Sequence, residues 1–207
     1  MDVVAFGCQA LVGNKNAAYF LAKKLNYNYI DCSTETTSPQ SIFRLVTKYT
    51  VENKNFLPVI GWSNTQSLEL RKLHKEKKYT GFSDPNYYNY SLGIKNLDYD
   101  LVRINKFQKI LLDEHLTNTR WCNLVISLQE LLKSYDINYV MYNVENAIDW
   151  NHNTLYMIKH IDRSRYIGVE NPKANIKKYV KKLKSNFYTE DGQKLIANLL
   201  KEKLESK

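Results

Sequence analysis

The strongest constraint on this chain is the order of apolar runs in its first 62 residues. The run "DVVAF" (2–6) stops at Gly7 and reads as a short buried strand. "AAYFLAKKL" (17–25) follows, with Ala17, Phe20, Leu21 and Leu25 at helical spacing. "YNYIDC" (27–32) alternates and is aromatic, as a strand does. Ser38-Pro39 then opens a second helix, with a side-chain acceptor at the N-cap and proline at N1; Ile42, Leu45, Val46 and Tyr49 form its buried stripe. "FLPVIGW" (56–62) is apolar throughout, as expected of a strand covered on both faces. Strand and helix in strict alternation imply parallel pairing through right-handed crossovers. In such sheets ligands bind outside the C-terminal strand ends. Here those ends are "FGCQ", "DCSTETTSP" and "GWSN".

The rest of the chain is less regular. Residues 71–100 are polar, aromatic and basic, with turn signals at Gly81, Asp84-Pro85 and Gly93, and are expected to form an irregular excursion over the active edge. A long helix is predicted over 101–134, broken near Thr117–Thr119, and "INYVMYNV" (137–144) is expected as a fourth strand. Residues 173–207 are expected to be helical. Ile176, Val180 and Leu183 mark one apolar stripe, and Glu190, Asp191, Lys201 and Lys203 match the dipole of a last helix. With 207 residues and no linker-like stretch, one domain over 1–207 is expected.

Composition narrows the function classes. No run of about 18 apolar residues predicts a membrane span, and no basic-then-apolar leader predicts secretion, so an intracellular protein is expected. Three cysteines (Cys8, Cys32 and Cys122) without close pairing suit a reducing compartment and buried thiols. No metal or cofactor motif is present, so neither is expected. The net charge of +9 favours anionic partners, although richness in Lys, Asn and Tyr is also what an A/T-rich genome produces. The densest basic stretch, "KANIKKYVKKLK", sets Lys177, Lys178, Lys181 and Lys182 outside its apolar stripe. These lysines are candidates for binding nucleic acid or another anion, with a solvated helix face as the alternative.

"VVAFGC", "YFLAKKLNYNYIDC", "SIFRLV" and "VIGWSN", followed by "IDRSRYIG" and "TEDGQKLIANLL", resemble the SGNH/GDSL-type hydrolase-like proteins of bacteriophage genomes. The resemblance spans most of the chain in the expected order. It implies a three-layer α/β/α sandwich with a small parallel, flavodoxin-like sheet, and ester or acyl hydrolysis as the family chemistry. In that chemistry a serine after the first strand attacks the carbonyl. A histidine near the C-terminal helix is its base, and an aspartate three residues earlier orients it. A glycine and an asparagine complete the oxyanion hole.

Carried onto this chain, the nucleophile position is Gln9, whose carboxamide cannot attack a carbonyl. The glycine of the second block falls near Thr36, and "GWSN" supplies Gly61 and Asn64. "FYTEDGQ" stands where His-Pro and Gly-His are expected: Phe187-Tyr188 replace the first pair, and Gln193 follows Gly192. Nucleophile and base are therefore both missing, which implies a degenerate hydrolase-like protein used for binding, structure or host interaction. Its partner would be another phage or host protein. It would reside in the cytoplasm of the host, or be virion-associated. The alternative is an active esterase with displaced groups, such as Cys8, Ser33, Ser38 or Ser63 with Asp149 and His152 of "DWNH". A nucleic-acid-associated protein using the lysine-rich helices is a further alternative.

Overall fold

A computed structural model describes residues 1–7, 15–33, 38–63, 68–71, 87–90, 114–144, 156–169, 176, 180–181 and 187–206; within these, 68–71, 87–90 and 114–116 are described by backbone alone. In chain order the elements are β1 (Asp2–Gly7), α1 (Ala17–Leu25), β2 (Asn28–Ser33), α2 (Pro39–Glu52), β3 (Phe56–Trp62), β4 (Leu68–Arg71), β5 (Tyr87–Tyr90), α3 (Glu114–Ser134), β6 (Val140–Asn143), β7 (Tyr166–Ile167) and α4 (Glu190–Glu205). Five strands form an all-parallel sheet in the order β2-β1-β3-β6-β7. The α/β class and the parallel sheet expected from the alternation are both present.

Strand pleating explains the layers. Val3 and Ala5 of β1 join Leu57 and Val59 of β3 and Val140 and Tyr142 of β6 on one face, covered by α1 and α4. Val4, Phe6, Ile60, Trp62 and Met141 point to the other face, covered by α2 and α3. Every residue of β3 is buried, which is why its sequence shows no alternation.

Local chemistry sets the helix ends. Ser38 caps α2 by accepting from Ser41 N at 3.1 Å, with Pro39 at N1 as the sequence predicts. Asn16 caps α1 by accepting from Tyr19 N at 3.0 Å. Asn26 (φ 57) closes α1 and Asp136 (φ 55) closes α3 in left-handed backbone. Tyr27 N then reaches Ala22 O, and Ile137 N reaches Leu132 O, each at 2.9 Å. These Schellman-type closures use Asn and Asp, which tolerate this conformation, and turn each helix directly into the next strand.

Three expectations are corrected. Residues 71–100 are not wholly irregular: β5 pairs antiparallel with β4, Leu68 opposite Tyr90 and Arg71 opposite Tyr87. The helix predicted over 101–134 has no break at Thr117–Thr119, since α3 runs unbroken through them; Thr117 and Asn118 are buried, so packing overrides their weak helix propensity. A fifth parallel strand, β7, follows the predicted fourth. Of the stripe in 173–184, Ile176 and Val180 are buried against the α1/α4 face, and Leu183 lies outside the described residues.

Candidate functional site

The order β2-β1-β3 makes the chain reverse direction across the sheet between β1 and β3, which opens a crevice at their C-terminal ends. Gly7 ends β1 beside Gly61 of β3. Its φ is +85°, and a Cβ there would lie 2.1 Å from the Gly61 carbonyl oxygen. Only glycine satisfies both conditions, so the two backbones approach closely at the switch point. Gly61, taken from "GWSN" as a site residue, is thus at the crevice.

On the α3 side, the end of β6 places Asn143 beside Trp62 of β3. Asn143 is 2% exposed, and its Oδ1 accepts from the Tyr166 hydroxyl at 2.5 Å. Burial, with a smaller effect from Cys122, pushes the Tyr166 phenol well above its ordinary pKa, so it stays protonated and donates. Trp121 of α3 meets Trp62 and Tyr166 edge-on, with ring centroids 6.1 and 6.0 Å away. Trp62 Nε1 donates to Met141 Sδ at 3.4 Å. Asn143 Nδ2 and Ser63 Oγ, in contrast, are buried without hydrogen-bond partners among the described residues.

On the opposite face lies Gln193, which follows Gly192 in the closing stretch "FYTEDGQ". It is 1% exposed. Its Oε1 accepts from Ala17 N, the first N–H of α1, at 2.9 Å, and its Nε2 donates to the Phe187 carbonyl at 2.5 Å. Both ends of the carboxamide therefore tie α4 to the rest of the fold. Thr189 caps α4 by accepting from Gly192 N at 3.2 Å. Phe187 is buried, whereas Tyr188 is 62% exposed.

The other candidates divide clearly. Gln9, Cys8, Thr36, Asn64, Asp149, His152, Lys177, Lys178 and Lys182 lie outside the described residues; Lys181 is described and exposed. Ser33 donates to the Asp31 carboxylate at 2.5 Å, and the Ser38 hydroxyl serves as the α2 cap. His160 precedes β7, at the opposite edge of the sheet, and its carbonyl accepts from Gln129 Nε2 at 2.5 Å. Cys32 and Cys122 are buried, and burial holds their thiols protonated, at about 11 and about 12. Among the described residues no three or more His, Cys, Asp or Glu side chains are grouped to hold a metal ion, and no helix is long and apolar enough to cross a membrane.

Asn143, at the C-terminal end of β6, and Tyr166, which donates to it, were not singled out from the sequence. A polar residue closing the apolar strand "YVMYN" at the ligand edge was the available signal for Asn143. Tyr166 carries no such signal. No family model, no curated protein and no solved structure matches this chain.

Proposed function

We propose that this chain is a catalytically degenerate SGNH-hydrolase-like protein of bacteriophage type, which uses the C-terminal edge of its sheet to bind rather than to transfer acyl groups. One observation carries the reading. In the stretch "FYTEDGQ", where the resemblance expects the base, Phe187 is a buried phenyl ring and Gln193 is buried with both ends of its carboxamide hydrogen-bonded to backbone. An amide so placed accepts no proton at neutral pH, and losing one member of a coupled catalytic unit removes most of its rate. The all-parallel sheet with the close Gly7–Gly61 approach at its switch point supports a retained binding edge.

The test is hydrolysis of p-nitrophenyl acetate by the wild type and by Gln9→Ser. Neither is expected to exceed buffer, because supplying a serine leaves it without a base. A robust esterase from Gln9→Ser would overturn the reading. So would wild-type turnover that His152→Ala abolishes.

A further inference from the structure

Cations and aromatic rings gather on the outer side of the α1/α4 layer. Lys15 precedes the Asn16 cap, and Lys23 lies in the last turn of α1. Their ammonium groups stand over the half-buried Tyr19 ring, 5.8 and 4.9 Å from its centroid. Lys194 of α4 stands 5.6 Å from the centroid of the neighbouring Phe20 ring and pairs with Glu190 at 2.8 Å. The Glu190 carboxyl is held below its ordinary pKa by Lys194 first, then by Lys15 and Lys23, so the three ammonium groups share one neighbourhood. Gln193 ties the Phe187 carbonyl to Ala17, which brings Tyr188, 62% exposed, to the same end of α1 as Lys15. Three lysines here face two carboxylates, Glu190 and Asp191, so positive charge is in excess.

An ammonium group over a ring keeps N–H donors for a further acceptor. Lysines alone would suit any polyanion. Lysines set beside an exposed ring match the phosphates and the unstacked bases of a single strand, where every base offers a face to stack. We propose that the α1/α4 face binds single-stranded nucleic acid, with phosphates on Lys15, Lys23 and Lys194 and a base stacked on Tyr188. The nine residues of α1 span about 14 Å, enough for a few nucleotides. Glu190 occupies these lysines in the free protein and competes with the phosphates. The proposal goes beyond the reading of the strand-end crevice and does not rest on it.

The test is fluorescence anisotropy of labelled oligodeoxythymidylate and oligouridylate with the full chain, over a series of salt concentrations. Each phosphate contact on a single strand contributes about 0.7 to the slope of log affinity against log salt. The double variant Lys15→Gln, Lys23→Gln is therefore expected to lower that slope by about 1.4. Lys24→Gln, at the exposed next position of α1, is expected to leave it unchanged. Tyr188→Ala is expected to weaken binding at least about five-fold, the loss of one stacked base. Glu190→Gln is expected to tighten binding, an outcome that damage to the fold cannot imitate. Polyglutamate is expected to displace the strand poorly. Absence of binding at low salt overturns the proposal, as does Glu190→Gln without a gain. A fall in slope with Lys24→Gln equal to that per lysine in the double variant also overturns it, because the field is then diffuse. So does displacement by polyglutamate as effective as by unlabelled strand, which makes the partner an acidic protein.

Discussion

Gln193→Met tests whether the carboxamide in the closing stretch "FYTEDGQ" is structural. Methionine has nearly the same length and volume, so the change removes hydrogen bonds without opening a cavity. Two buried backbone groups each lose one hydrogen bond: Ala17 N, which donates to Oε1 at 2.9 Å, and the Phe187 carbonyl, which accepts from Nε2 at 2.5 Å. Ala17 is 0% exposed and Phe187 5%, so water offers little replacement. Losing each of these buried hydrogen bonds costs roughly 1–2 kcal/mol, which makes the expected loss about 3 kcal/mol. For a chain of this size that lowers Tm by roughly 6–12 °C. The assay is urea unfolding followed by circular dichroism, where a lower midpoint at unchanged slope reports lost stability alone. Lys194→Met, at the exposed neighbouring position, is the control and should shift stability by no more than about 0.5 kcal/mol. If Gln193→Met unfolds within about 0.5 kcal/mol of wild type, the carboxamide holds neither backbone group. The binding reading then loses the observation that carries it.

Two further outcomes follow from the geometry. Gly7→Ala places a Cβ 2.1 Å from the Gly61 carbonyl oxygen at φ +85°, so left-handed strain and overlap together should cost roughly 3–5 kcal/mol, and a urea midpoint near wild type would refute the close approach. Stability should also fall in alkali. Burial raises the folded pKa of Cys32 and Cys122 from 9.0 to about 11 and about 12, so their contribution is complete below pH 9 and is lost as pH rises toward those values. Between pH 8 and 10 the loss should be roughly 1 kcal/mol per thiol, with buried phenols such as Tyr166 acting in the same direction, and Cys122→Ala should flatten the pH dependence of the urea midpoint.

The elements that were legible in the sequence are those whose signals are local. Ser38-Pro39 announces a helix start within two residues, and the stripe through Ile42 and Val46 announces which face it buries. What escaped the sequence depends on distant partners. β4 and β5 pair although residues 72–86 separate them in sequence, far more than the two-residue signal that marks a hairpin. β7 is two residues long, too short for any periodicity, and forms only because β6 offers it an edge. Thr117 and Asn118 look like a break by propensity, yet they are buried where α3 packs on the sheet, and packing decides.

The site was legible to the same degree. The alternation of strands and helices located the edge, because a topological switch follows from strand order alone. It did not reveal which polar groups at the edge are partnered, because that depends on Tyr166 of β7 reaching Asn143 of the neighbouring β6. Nor could it assign Gln193, whose Oε1 takes the first N–H of α1 across 176 residues of chain. From sequence, Gln193 is only a residue of the block in which a base was expected and none is found. In the fold it is a clamp between the first helix and the last, and a catalytic base there would have to give up both bonds. A side chain committed to holding α1 and α4 together is not available to carry protons, so the same contacts that stabilise this fold argue against acyl transfer at that position.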